Sequence, residues 1–147
     1  MILYEERADI FKSGFQTLVN PVNTYGTMGA GLAKKFARRF PGLETVYKQA
    51  INRNVFVRKG IFVFDVPDSE KKVVCLATKR HFSQPSKLEW IDEGLRVLAR
   101  DFSLYGITSL AVPALGCGLG QLQWEDVRPL ILRHLEPIDL PVGIFSP

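Results

Sequence analysis

Two glycine-rich turns contain the residues of this sequence that are best suited to bind a phosphate. The first turn includes Gly26, Gly29 and Gly31 and follows the apolar segment 18–22. The second spans residues 116–120 and also lies between an apolar run and a helical pattern. Glycine lets backbone N–H groups approach an anion closely, and the dipole of a helix that begins at such a turn favours negative charge. Two such turns predict a ligand with a diphosphate that is held from two sides.

Lys79 is the first candidate for chemistry at these turns. It comes directly after the apolar strand pattern 73–78 and before Arg80. A lysine at this end of a strand in an α/β sheet points towards the ligand crevice, where its amine could hold a phosphate or act as a nucleophile with a lowered pKa. The alternative is a solvated surface lysine. His81, two residues later, is either a proton carrier or a polar edge residue.

Other polar and aromatic candidates lie at the ends of predicted strands. Asn20 and Asn23 bracket a proline at the end of the second strand. The amide of Asn23 could stabilise the turn or fix a sugar hydroxyl in the cleft, and we favour the sugar. Asp9 could accept a hydrogen bond from an adenine amine or cap a turn. Phe145 could stack on a base or fill the core.

The cysteines do not predict a catalytic or metal site. Cys117 lies between two glycines with no histidine or acid near it in sequence, so we interpret it as a small residue that lets the backbone approach a phosphate. Cys75 lies within an apolar strand and is expected in the core. The two cysteines and two histidines lack the spacing of a zinc site, and no metal or other cofactor is predicted.

Length and composition predict one globular domain over residues 1–147. The chain is long enough to bury a core without disulfides. None of its apolar runs has the length of a membrane span, and charged Glu5, Glu6 and Arg7 stand where a signal peptide would be hydrophobic. A cytoplasmic location is therefore expected. The net charge of +4 permits a nucleic-acid partner without requiring one.

The elements that must position these residues alternate along the chain. Apolar runs predict strands over 2–6, 17–22, 60–66, 73–78, 109–113 and 142–145, and amphipathic patterns predict helices over 31–40, 43–53, 87–102 and 124–135. Such alternation, with nearly continuous apolar strands, favours a largely parallel sheet covered by helices on both faces. Ligands of such sheets bind outside the carboxyl ends of the strands, where both glycine turns fall.

The helix predicted over 31–40 exposes a cluster of four basic residues, which is either a solvated face or a contact for nucleic-acid phosphates. The cluster consists of Lys34, Lys35, Arg38 and Arg39. In the longest predicted helix, Ser86 and Glu89 have the spacing of a capping box, in which each side chain would satisfy the other's free backbone N–H group.

Together these blocks resemble the macrodomain family, whose members are ADP-ribose-binding α/β/α modules. The resemblance rests on segments 7–10, 20–23 and 116–120. More narrowly, segments 19–33, 78–89 and 122–126 resemble the DNA ADP-ribosyl glycohydrolase macrodomains of toxin–antitoxin systems, and the terminal ADP-ribose protein glycohydrolase shares these blocks. The resemblance implies a three-layer α/β/α fold with a mixed, largely parallel central sheet.

The resemblance also implies roles for individual residues. Lys79 matches the catalytic lysine of this branch, and Asn23 would orient the distal ribose. ADP-ribose itself would be bound by Asp9, Ile10, Asn20, Gly29, Ala30, Gly31, Gly116, Cys117, Gly118, Leu119, Gly120 and Phe145.

Departures from the family pattern bear on the substrate. Ala8 replaces a usual glycine, and Gly120 stands where the protein-directed glycohydrolase carries an acid. The DNA-directed branch lacks that acid too, so we expect removal of ADP-ribose from a base in DNA, with thymidine as the favoured substrate. Antitoxins of this kind carry a toxin-binding region, which makes a toxin ADP-ribosyltransferase a candidate partner. The alternatives are a non-catalytic ADP-ribose reader and a hydrolase of small derivatives such as O-acetyl-ADP-ribose or ADP-ribose 1″-phosphate.

Overall fold

A computed structural model describes residues 1–56 and 59–147 in full, and residues 57 and 58 only as part of a helix. The strands are β1 (Ile2–Glu6), β2 (Thr17–Asn23), β3 (Ile61–Asp65), β4 (Lys72–Lys79), β5 (Leu110–Pro113) and β6 (Val142–Phe145). The helices are α1 (Gly31–Arg39), α2 (Leu43–Asn52), α3 (Val55–Lys59), α4 (Leu88–Asp101) and α5 (Trp124–Leu135), with a 3₁₀ helix at Ile10–Lys12.

The six strands form one mixed sheet in the order β1-β6-β5-β2-β4-β3. Every neighbouring pair is parallel except β3 and β4, which run antiparallel. The carboxyl ends of the five parallel strands therefore lie along one edge of the sheet. This edge carries the segments that follow β1, β2, β4, β5 and β6, and it contains both glycine turns.

Helices cover both faces of the sheet, as predicted. On one face, α4 and α5 bury Ile91, Leu95 and Ile131 against strand residues that include Val74 and Leu110. On the other face the buried side chains come from α1, α2 and α3: Phe36, Leu43, Tyr47, Ala50 and Phe56. The three-layer α/β/α architecture with a largely parallel sheet is confirmed.

The predicted capping box of α4 is wrong. The N-cap residue of this helix is Lys87, and its first turn has no side-chain cap. Ser86 lies one residue earlier and is buried, where its hydroxyl donates to Thr78 Oγ1 at 3.1 Å. A tertiary hydrogen bond between β4 and the start of α4 thus replaces the local one that the spacing suggested.

The other differences concern short elements. The 3₁₀ helix and α3 were not predicted, because segments of three and five residues are too short to show a helical period. Among the described residues, none of the helices is both long and apolar enough to cross a bilayer.

Candidate active site

A pocket of about 700 Å³ opens at the carboxyl edge of the sheet, between the two glycine turns. Its walls come from the ends of β2 and β4, the start of α1 and the turn after β5. The lining residues are Pro21, Val22, Asn23, Thr27, Gly29, Ala30, Gly31, Leu32, Ala33, Thr78, Lys79, Phe82, Ser86, Ala114, Gly116, Gly118, Leu119 and Gly120. The volume lies in the range typical of small-molecule sites.

The two turns present backbone N–H groups that have no partner within the described part of the chain. In the second turn these are the N–H groups of Gly116, Gly118, Leu119 and Gly120. At the start of α1, the first helical N–H groups are likewise without a helical partner, because a helix leaves its first turn of donors unpaired. Both sets can therefore bind anionic oxygens.

The two turns touch each other over the pocket. Gly31 has a φ of +58°, and a Cβ built there would lie 3.2 Å from Leu119 Cδ1. Gly116 also has a positive φ, +71°, and a Cβ there would approach Leu122 and Ser86 to about 3 Å. Glycine is needed at both positions for conformation and for space.

Ser86 fixes the second turn to the end of β4. Its N–H donates to Gly120 O at 2.9 Å, while its hydroxyl reaches Thr78. A Cβ at Gly120 would lie 2.5 Å from Gly116 O and 2.2 Å from Ser86 Oγ. Gly120 therefore packs so closely against backbone that it leaves no room for a side chain.

Asn23 organises the first turn through both ends of its amide. Its Oδ1 accepts from Tyr25 N at 3.1 Å, Gly26 N at 3.0 Å and the Tyr47 hydroxyl at 2.8 Å. Its Nδ2 donates to Thr27 O at 3.0 Å. The Asn23 side chain lines the pocket, but its hydrogen bonds are made to the turn and to Tyr47. This geometry is the one expected if Asn23 stabilises the turn.

Lys79 is the sole ionisable side chain among the described residues that line the pocket. Its Nζ donates to Phe82 O at 3.4 Å, and it has no carboxylate within ion-pair distance in the described structure. Partial burial lowers the pKa of the Lys79 amine, because desolvation disfavours its charged form. Such an amine is more nucleophilic near neutral pH than that of a solvated lysine.

Three aromatic rings form a cluster at the rim beside Lys79. The ring centroids of Tyr25 and His81 are 4.6 Å apart, and those of His81 and Phe82 are 4.1 Å apart. Phe82 also lines the pocket, which connects this cluster to the site.

The remaining predicted ligand residues lie outside the pocket lining. Asp9 caps the 3₁₀ helix by accepting from Phe11 N at 2.9 Å, and Ile10 beside it is buried. Phe145 packs edge-on against Tyr4 in the core, which is the core-filling alternative given for it above. Asp9 and Phe145 nevertheless follow or end strands that finish at the same edge of the sheet as the pocket.

Asn20 and Cys117 also lie away from the pocket lining. Asn20 is fully buried in β2, where its Nδ2 faces the sulfur atoms of Met28 and Cys75 and its Oδ1 has no partner among the described residues. Burial raises the pKa of Cys75 to about 12, which fits a core residue. Burial raises the pKa of Cys117 as well, with Glu125 adding to the effect, so this thiol is not activated. No cluster of metal-ligating side chains occurs in the described residues.

The basic cluster on α1 is exposed, as predicted. The guanidinium of Arg39 lies 4.9 Å from the centre of the Phe11 ring, and the other three side chains have no ion pair in the described part of the chain. The cluster therefore remains available to an anionic partner.

Three residues of the site were not recognised from the sequence. Phe82 lines the pocket, Ser86 connects the second turn to β4, and Tyr47 contacts Asn23 from α2. Tyr47 shares the core face of α2 with Leu43 and Ala50, and a buried tyrosine hydroxyl needs a partner. That pattern indicated that α2 approaches a polar group.

The Macro domain family model matches residues 19–131 of the chain. The DNA ADP-ribosyl glycohydrolase of Mycobacterium tuberculosis is 38% identical over the whole chain, which spans 42% of that protein. The solved macrodomain of M. tuberculosis DarG superposes with a TM-score of 0.90 at 38% identity, covering 100% of this chain and 97% of that structure.

A second relative comes from Thermosipho africanus. Its DNA ADP-ribosyl transferase–DNA ADP-ribosyl glycohydrolase fusion protein is 37% identical over 95% of this chain and 40% of that protein. The structure of T. africanus DarTG in complex with ADP-ribose superposes with a TM-score of 0.88, with the same identity and coverage. The chain thus spans about two fifths of the length of these curated relatives. With the family model matching most of its length and a sheet, helices and turns that superpose on solved macrodomains, the chain belongs to the Macro domain family.

Proposed function

We propose that this macrodomain binds ADP-ribose and hydrolyses the bond that joins it to a nucleobase in DNA, with thymine as the favoured base. The observation that carries the proposal is the position of Lys79. This desolvated amine lies in the wall of a pocket that also presents two sets of free backbone N–H groups. A pocket built in this way can hold a diphosphate and act on the sugar attached to it.

The binding part of the proposal assigns the diphosphate to the two turns. The residues of the second turn and of the start of α1 that carry these N–H groups line the pocket from two sides. Adenine would lie towards Asp9, Ile10 and Phe145, at the part of the same sheet edge formed by β1 and β6. The distal ribose would then lie between Asn23 and Lys79, which end the adjacent strands β2 and β4. Such fixation brings the anomeric carbon to the lysine without a metal.

Lys79 has two possible roles in the reaction. As a nucleophile, the neutral amine attacks the anomeric carbon while the bond to the base breaks. The base leaves with the electron pair and takes up a proton, and water then displaces the lysine. As a cation, Lys79 instead stabilises negative charge on the departing base while water attacks directly. Both routes give free ADP-ribose and an unmodified base.

DNA is the favoured substrate for two reasons. The relatives with 37–38% identity are named as DNA ADP-ribosyl glycohydrolases or contain one. In addition, Gly120 has no space for the acid of the protein-directed enzymes. The T. africanus fusion with a DNA ADP-ribosyl transferase supports a toxin of that class as the partner whose modification this chain reverses.

The test is release of ADP-ribose from a single-stranded oligonucleotide that carries one ADP-ribosylated thymidine. Wild type is compared with Lys79→Ala, Lys79→Arg and Lys72→Ala. Lys72 lies at the opposite end of the same strand, in an ion pair with Asp65, and is the matched control. We expect turnover by wild type and Lys72→Ala and none by Lys79→Ala.

The arginine variant distinguishes the two roles of the lysine. Arginine keeps the positive charge but is not deprotonated in proteins, so it cannot act as the nucleophile. Retained activity in Lys79→Arg therefore supports electrostatic stabilisation, and its loss supports covalent catalysis. Unchanged turnover by Lys79→Ala would refute the assignment.

The reader alternative rests on the lack of any carboxylate or histidine among the described lining residues. Without such a group, no side chain other than Lys79 can transfer a proton within the pocket. Calorimetric binding of ADP-ribose with no release from DNA, protein or small-molecule conjugates would establish the reader. Turnover of O-acetyl-ADP-ribose or ADP-ribose 1″-phosphate alone would assign the chain to small substrates.

A further inference from the structure

Tyr25, His81 and Phe82 place their rings together at the rim of the pocket. Tyr25 meets His81 at an interplanar angle of 70° and Phe82 at 75°, while His81 and Phe82 are inclined by only 30°. Tyr25 is 59% exposed and Phe82 is 54% exposed. We call these three residues the rim aromatics. Exposed apolar side chains that form a contiguous patch mark a contact surface.

The rim aromatics extend outward from the reacting position. Phe82 lines the pocket, and its carbonyl oxygen accepts from Lys79 Nζ. Tyr25 and His81 lie beyond it, outside the lining. A group attached to a sugar beside Lys79 would therefore lie next to Phe82, whose ring contacts those of His81 and Tyr25.

Hydrogen bonds hold this surface in place. Ser83 N donates to His81 Nδ1 at 3.1 Å, which fixes the orientation of the imidazole. Thr24 N donates to Lys79 O at 3.0 Å and Arg80 O at 3.2 Å, so the segment that carries Tyr25 is joined to the end of β4. The rings are thus preorganised, and little conformational entropy is lost when a ligand stacks on them.

The charge next to the rim aromatics is positive. The amine of Lys79 donates to Phe82 O at 3.4 Å and forms no ion pair in the described part of the chain. Aromatic rings beside unpaired cations are the elements by which proteins bind single-stranded nucleic acid: bases stack on the rings and phosphates pair with the cations. A peptide would have no flat π-face to match unless it offered an aromatic side chain of its own.

We propose that the rim aromatics form a stacking platform for the nucleobase that carries the ADP-ribose, and that this base must be unstacked from its neighbours to use it. The inference rests on the proposed function and names its substrate class. In a duplex, the modified base lies between its stacked neighbours, so single-stranded DNA, or a base flipped out of the helix, is the form that can reach the rings.

The test compares Tyr25→Leu and Phe82→Leu with wild type. Leucine keeps an apolar side chain and removes the π-face. Leu104→Ala is the control, because Leu104 is 82% exposed and lies in the turn after α4, far along the chain from both glycine turns. The ligands are the single-stranded oligonucleotide with ADP-ribosylated thymidine, the same strand annealed to its complement, free ADP-ribose, and a peptide with ADP-ribosylated glutamate.

We expect each leucine variant to lower kcat/KM for the single-stranded substrate about tenfold, because stacking on one ring has a value of that order. In Tyr25→Leu, whose ring lies outside the pocket lining, affinity for free ADP-ribose and for the modified peptide should stay within about twofold of wild type. Leu104→Ala should match wild type in every assay, and the duplex should be a poorer substrate than the single strand. Conversely, an unchanged kcat/KM for the single strand, or an equal loss for ADP-ribose and the peptide, would overturn the proposal.

A binding measurement separates this inference from the proposed function. If wild type releases no ADP-ribose from DNA, the proposed function fails, but affinities can still be compared. Tighter binding of the modified oligonucleotide than of free ADP-ribose, lost in Tyr25→Leu and Phe82→Leu, would support the platform without catalysis. Equal affinity of wild type for the two ligands would refute it.

Discussion

Replacing Asn23 by alanine tests whether this residue acts on the turn or on the substrate. The change removes four hydrogen bonds shorter than 3.2 Å: three to Oδ1, from Tyr25 N, Gly26 N and the Tyr47 hydroxyl, and one from Nδ2 to Thr27 O. Two longer contacts are also lost, from Thr27 N to Oδ1 at 3.4 Å and from Nδ2 to Thr27 Oγ1 at 3.3 Å. Each of the four shorter hydrogen bonds contributes about 1 kcal/mol net. The upper limit of the loss in stability is therefore about 4 kcal/mol.

Two features reduce that figure. The Tyr47 hydroxyl keeps a second bond, at 2.7 Å, to the backbone oxygen of residue 23, and water can reach parts of the turn. We therefore expect Asn23→Ala to lower the free energy of unfolding by about 2–3 kcal/mol. Asn23→Asp keeps the acceptor and loses the donor to Thr27, so its cost should be about 1 kcal/mol.

The assay is denaturant unfolding at equal m-values, combined with calorimetric titration of ADP-ribose. Because the turn shapes one wall of the pocket, the affinity for ADP-ribose should fall in the same order, with Asn23→Ala weaker than Asn23→Asp. If Asn23→Ala instead keeps its stability and its ADP-ribose affinity and loses only turnover, Asn23 acts on the ribose directly and the turn-positioning argument is wrong.

Three further predictions follow from the site and the core. Burial lowers the pKa of Lys79 from its ordinary value of 10.5. If the neutral amine is the nucleophile, kcat/KM should rise with pH and reach its plateau below pH 10.5, and if the lysine acts as a cation, kcat/KM should fall over the same range. A pH–rate profile distinguishes the two roles. Gly120→Ala forces a Cβ against Gly116 backbone and should lower stability by about 1–3 kcal/mol and weaken ADP-ribose binding; Gly118→Ala, where no protein atom lies within 4 Å, should keep its stability in a parallel melt. Cys75, buried with a pKa near 12, should resist thiol reagents in the native protein and react only after denaturation, and rapid native labelling would contradict its burial.

The sequence predicted the elements because their patterns are local. Apolar runs with helical or strand periodicity fixed β1, β6 and α5 to the residue and the other long elements to within a few residues. Alternation of strands and helices predicted a parallel sheet, and a parallel sheet gathers the residues after its strands at one edge. Lys79 and both glycine turns could therefore be expected there from the sequence alone.

Details of the site depend on contacts between segments that are distant in sequence. The spacing of Ser86 and Glu89 favoured a local cap, but Ser86 N instead reaches Gly120 O, 34 positions further along the chain. The hydrogen bonding of the Asn23 side chain depends in part on Tyr47, whose hydroxyl α2 places 2.8 Å from Asn23 Oδ1. The periodicity of the sequence identifies neither Gly120 as the partner of Ser86 nor Tyr47 as the partner of Asn23.

The sequence by itself therefore predicted the layers of this protein, the edge of the sheet where the pocket lies, and the lysine that we propose for chemistry there. Tertiary structure alone decided which backbone N–H groups remain free, how closely the two turns approach, and which rings surround the lysine. The physical reason is that the periodicity of apolar residues shows only which face of a single helix or strand is buried. Hydrogen-bond pairing, close packing at glycine and desolvation of an amine depend instead on the distance between elements.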